Sequence, residues 1–207
     1  MEEGNYKLAG WAALGSAVTF LVTSGILIYD DVLNTPALKG GRSDLETLLL
    51  ALSIDVISTA LGIYALLKFR QLLRERYDFH AVDNLILILI FAGLIMSAVA
   101  YTGRLFGMNR PAAGPNFSGA LPFVFILAFV GIAVGVLGII FALRLLKLPG
   151  TLNGYLKPLA YTELIGSVCF MLVFLAPIGL IMMVVFNVLL GLVFLNSDDS
   201  LEEVDFV

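Results

Sequence analysis

Cysteine and histidine are almost missing from this chain, and charge is scarce. One cysteine, Cys169, lies inside an apolar run, which excludes an intramolecular disulfide and a cysteine-ligated metal centre. The single histidine, His80, excludes a haem held by two histidines of this chain. No metal site and no cofactor is therefore expected. Catalytic constellations are absent as well. No Ser/His/Asp set has a plausible meeting point, no HExxH occurs, and no glycine loop is placed to cradle phosphate. An enzyme would have to assemble a headgroup site from Asp83, His80 and nearby arginines, which is a remote reading.

Charged residues make up 14% of the 207 positions, against about 25% in ordinary soluble domains. Hydrophobic residues make up 60%, and the mean hydropathy is +1.00. So few charges would not cover that much apolar surface in water, so the solvent is lipid. The net charge of −4 arises largely from the tail at 196–207, which holds five acids and no base. That balance argues against a nucleic-acid partner. The first residues, Met1, Glu2 and Glu3, lack the positive region of a secretory signal, so the first span is expected to remain in the mature protein.

What is present is a succession of apolar runs, each long enough for a hydrocarbon core of about 30 Å. The expected architecture is all-α: a polytopic, six-helix transmembrane bundle at 1–195, followed by an acidic tail. Spans are expected at 6–29, 44–67, 79–102, 120–143, 158–176 and 178–195. The second should open with a capping box, in which Ser43 and Glu46 satisfy each other's free N–H groups. Asp78 is the expected N-cap of the third. The block at 158–195 would reach about 57 Å as one helix at 1.5 Å per residue. It is therefore split at Ala176-Pro177-Ile178-Gly179 into two short spans joined by a tight Pro-Gly turn, with a re-entrant hairpin as the rival arrangement. The loops at 30–43 and 103–119 carry the Gly and Pro breakers.

Orientation follows from the basic residues. Lys7, Lys68, Arg70, Arg74, Arg76, Arg144, Lys147 and Lys157 fall on one side of a six-span chain, and Lys39, Arg42, Arg104 and Arg110 on the other. Eight against four places both termini in the cytoplasm, in the plasma membrane or a prokaryotic inner membrane. The stretch containing Lys68, Arg70, Arg74 and Arg76 sets that topology and could attract anionic headgroups. A weak internal similarity, Gly62-Ile63 with Leu67-Lys68 against Gly138-Ile139 with Leu143-Arg144, allows a parallel repeat of two spans.

A few polar and small residues inside the spans need explaining. An ionised Asp55 near the bilayer centre would cost at least about 2.5–3.5 kcal/mol. Ser58, Thr59 and Gly62 share its helix face by the i, i+3, i+4, i+7 spacing, so that face should turn inward. Asp55 is either a neutral acid hydrogen-bonded to another helix or a proton- or cation-binding carboxylate. With no second carboxylate expected at its depth, the structural role is favoured. Asn187 is its expected partner. Asp83 and Glu163 are expected at the membrane surface, paired with Lys68, Arg70, Arg144 or Lys157. Gly131, Gly135 and Gly138 form a close-packing face, and Gly15 with Thr19 and Thr23 forms another. These features together point to a non-catalytic membrane subunit that packs against other membrane subunits or a second copy of itself. A small transporter or channel using Asp55 is the alternative.

Overall fold

A computed structural model describes residues 6–33, 45–108, 121–148 and 154–199. All regular structure in it is helical: α1 (Tyr6–Leu33), α2 (Leu45–Tyr77), α3 (Asp83–Met108), α4 (Leu121–Leu145), α5 (Leu156–Met171) and α6 (Ala176–Asp199). Five of the six, all but α5, are long and apolar enough to cross a membrane. This is the character of an integral membrane protein, built as an α-helical bundle.

The helices form a ring in chain order. Each packs on the next, and α6 closes the ring against α1. The α2–α3 seam is the sparsest of the six. Small residues set the tight seams. A Cβ on Gly10 would lie 3.1 Å from the Gly191 carbonyl oxygen, and one on Gly191 would lie 3.1 Å from that of Gly10, so α1 and α6 touch through their backbones. Between α1 and α2, Ser16 Oγ donates to the Ser58 carbonyl and Ser58 Oγ donates to the Ser16 carbonyl, both at 3.0 Å. Gly62 and Gly15 open the space for that crossing, facing Ser16 Oγ and Leu61 Cδ1 respectively. Gly135 lies against the Ser167 carbonyl and Met171, and Gly138 against Ser167 and Glu163, so the glycine face of α4 seats α5. Gly131 stands more loosely, about one van der Waals contact from the Phe170 carbonyl. In lipid, such close approach replaces the hydrophobic effect as the source of helix association.

The second helix differs from expectation in length. It does not end near residue 67 but continues to Tyr77, so the basic stretch is helical. The residues explain this: Lys, Arg, Gln and Leu are good helix formers, and no Gly or Pro interrupts them. Phe69, Leu72 and Leu73 in this extension are fully buried, which fixes its face. Asp78 does not cap α3. It takes φ 46°, a left-handed conformation that Asp tolerates better than most residues, and it ends α2. Phe79 N–H then donates to the Leu73 carbonyl at 3.0 Å, and α3 starts at Asp83.

The break in the last apolar block falls at Leu172–Leu175, just before the expected Ala176–Gly179 turn. Leu172 leaves helical geometry at ψ 82°, and a 3₁₀ turn (Val173–Leu175) follows. Pro177 lies in the first turn of α6, where its missing N–H has no intrahelical partner to lose. At 16 residues, α5 reaches only about 24 Å. It runs antiparallel to α6, with Gly166 facing Met182 and Gly179 facing Phe170. Ser43 of the expected capping box, the loop positions 34–44 and 109–120, and the tail beyond 199 lie outside the described residues.

The hydrophobic core is concentrated at one end, the end of the basic stretch. Phe69, Leu72, Leu73, Phe141, Leu159, Leu190 and Phe194 belong to one buried cluster there. Phe194 stacks on Tyr6 with ring centroids 6.1 Å apart and meets Phe69 edge-on at 6.3 Å. Polar contacts rim this floor. Tyr6 O–H donates to the Glu75 carboxylate, and Arg76 lies 5.6 Å from the Tyr6 ring centroid. Arg144 donates to the Ala81 carbonyl, which ties α4 to the α2–α3 turn.

Candidate functional site

Above the hydrophobic floor the ring does not close. A cavity of about 260 Å³ runs between the helices, and all six contribute to its wall. Asp55, Ser58 and Thr59 line it from α2, Asn187 from α6, Ser16 from α1 and Ser97 from α3. The i, i+3, i+4 spacing on α2 is the reason three of its polar groups arrive together. The four intramembrane polar residues read from the sequence thus share one space.

Their hydrogen bonds differ from expectation. Asn187 Nδ2 donates to the Met183 carbonyl of its own helix at 3.0 Å. Tyr101 of α3 is instead the side chain that interacts with the Asp55 carboxyl. Asn187 is a cavity residue without being the hydrogen-bond partner of Asp55 among the described residues. The side chain turns back on its own helix at Asn187 because an amide four residues after a carbonyl reaches it easily.

The largest correction concerns Glu163. It does not pair with Arg144 or Lys157 at the membrane surface. It lines the same cavity as Asp55, and Ser167 Oγ donates to its Oε1 at 3.2 Å. Gly138 makes the room: a Cβ there would stand 2.7 Å from Glu163 Oε1. The sequence carried a signal for this, since Glu163, Gly166 and Ser167 share a face at i, i+3, i+4, but proximity to the basic turn suggested the surface instead. The cavity therefore holds two carboxylates. They differ in depth: Asp55 stands ~22 Å along α2 from Arg70, while Glu163 stands ~10 Å from the start of α5, at 1.5 Å per residue. Ser58, Thr59 and Ser167 add hydroxyls to the wall, and the remainder is apolar, including Phe20, Phe141, Phe170 and Phe186. Among the described residues no basic side chain lines it.

Asp83 meets Arg70, one of its expected partners, and also Arg74, which is not among them. Its carboxylate, 8% exposed, takes Arg70 Nε at 3.2 Å and Arg74 Nε at 2.6 Å, while His80 Nδ1 lies 3.3 Å away. This group staples α2 to α3 at the basic end. Lys68 Nζ donates to Gln71 Oε1 at 2.9 Å, so the basic stretch largely braces itself. Cys169 is buried, as packing requires. Among the described residues no three His, Cys, Asp or Glu side chains stand close enough to hold a metal ion. The chain matches no known protein family, no curated protein and no solved structure.

Proposed function

We propose that the protein is a small six-span transporter whose central cavity is its translocation site. The observation that carries this is the cavity wall, where Asp55 and Glu163 stand at two depths with hydroxyls on the helices beside them. Intramembrane carboxylates facing a cavity are the usual means by which a membrane protein binds a proton or cation. On this reading α5 and α6 both cross the bilayer, joined by the turn ahead of Pro177, and both termini lie in the cytoplasm. The hydrophobic floor closes the cavity on that side. Asp55 is the coupling carboxylate, with Tyr101 beside it.

The test is charge movement. Protein reconstituted in liposomes on a solid-supported membrane is given a pH jump or a monovalent-cation jump. The wild type should give a transient current that Asp55→Asn reduces at least tenfold. Silence of the wild type under both jumps refutes the reading.

The second reading, a non-catalytic subunit or homo-oligomer, draws on a different observation. The outer face of α3 presents Leu87, Ile88, Phe91 and Ile95, all exposed. A stoichiometric partner co-purifying in mild detergent would favour it.

A further inference from the structure

The wall of the cavity also limits what it can take. Resting on the transporter reading above, we propose that the cavity binds a lipophilic monovalent organic cation, with Glu163 as counter-charge and the phenylalanines around its apolar body. No lysine or arginine among the described residues reaches the cavity, so an anion would meet two carboxylates and no compensating charge. A divalent metal ion favours several carboxylate ligands, and no three His, Cys, Asp or Glu side chains meet among the described residues. A neutral solute would use the apolar wall without the Glu163 carboxylate, and would bind a Glu163→Gln protein as well as the wild type.

An organic cation satisfies both halves of the wall. Glu163 takes one bond from Ser167 and is otherwise turned to the cavity. Phe141, Phe170 and Phe186 line the cavity, where an apolar body meets them by contact and an aromatic ring within reach also attracts a cation. Size sets the class further. An apolar cavity of about 150 Å³ holds one benzene, so about 260 Å³ suits a molecule on the order of ten heavy atoms. Asp55 lies at another depth with Tyr101 beside it, so the two carboxyl groups are separate points of the wall and Glu163 is the one assigned to the ligand.

Gly93 supplies an independent handle. It lines the cavity from α3, and a Cβ there would meet nothing within 4 Å. A side chain at that position therefore has room at its Cβ and extends into the cavity space.

The experiment is equilibrium dialysis of radiolabelled benzyltrimethylammonium against the full chain in phosphatidylcholine nanodiscs, with empty nanodiscs as blank. Saturable binding of one equivalent is expected. Glu163→Gln should weaken it at least tenfold, and Gly93→Leu should abolish it in a protein that still folds. Neopentylbenzene, which has the same shape without the charge, should not compete. The proposal is overturned by an absence of saturable binding to the wild type, by wild-type affinity in Glu163→Gln, or by equal competition from neopentylbenzene. If Glu163→Gln does not fold, Gly93→Leu still decides: undiminished binding there places the cation outside the cavity. Charge movement without cation binding would remove this ligand class and leave the transporter reading standing. Cation binding without charge movement would do the reverse.

Discussion

Two glycines of this bundle with opposite surroundings show how much of its packing is decided by single atoms. At Gly135 a Cβ would stand 2.6 Å from Met171 Cγ and 2.7 Å from the Ser167 carbonyl oxygen. The second of these is backbone and has no rotamer to move into. Gly135→Leu should therefore destabilise the protein by about 1–3 kcal/mol or more, as overpacked cores do. Gly93, with no neighbour in reach, behaves oppositely. Gly93→Ala should stabilise α3 by about 0.5–1 kcal/mol through helix propensity alone. Unfolding in SDS against mild detergent measures both, and a Gly135→Leu protein as stable as wild type would mean that α4 and α5 do not approach this closely. The GxxxG spacing made Gly135 visible in the sequence. Gly10 and Gly191 were not visible, because a glycine on one helix says nothing about which distant glycine it will face. Glu163 was misplaced for a related reason: its position in the chain is near basic residues, but its direction is set by Gly138 on another helix.

The elements were more legible than the residues. Hydropathy marked the apolar runs, because lipid obliges each to satisfy its own backbone, while dividing the last run also took its length and its Pro-Gly breaker. Their ends were less so. α2 outran its apolar run by ten residues' worth of charged and amphipathic helix, since helix propensity does not stop where hydropathy does. The last block was divided near the right place for an incomplete reason: Pro177 begins α6, and the chain leaves α5 earlier, at Leu172. That leaves α5 as the element whose role is most open to test. Its helix is shorter than the hydrocarbon core, yet the turn after it puts Phe174 at 78% exposure. In a Cys169→Ala background, Phe174→Cys should react with a membrane-impermeant maleimide added from the side opposite the basic stretch. Protection from that side, with reactivity only after solubilisation, would make α5 and α6 a re-entrant hairpin.

At the scale of the whole molecule the packing is uneven from end to end. Tyr6, Phe69, Phe141 and Phe194 seal the end that carries the basic residues, and the polar side chains of the cavity stand above that seal. The basic residues predict which compartment the sealed end faces, because translocation of Lys and Arg is disfavoured. If the basic end is the cytoplasmic one, retention by charge and closure by packing act at the same surface, and the cavity is shut toward the cytoplasm. Orientation is therefore the property on which the direction of access depends. Gly154→Cys suits one side of the test, being exposed with nothing within 4 Å of a Cβ. Gly114→Cys, in the segment between α3 and α4, suits the other. In intact cells, impermeant reagent should label the Gly114→Cys protein and spare the Gly154→Cys protein, which should react only once the membrane is permeabilised. The reverse pattern would put both termini outside and turn the sealed floor toward the exterior. The cavity would then have to be reached from the cytoplasm, and a ligand taken from outside would first have to pass the Phe69–Phe194 layer.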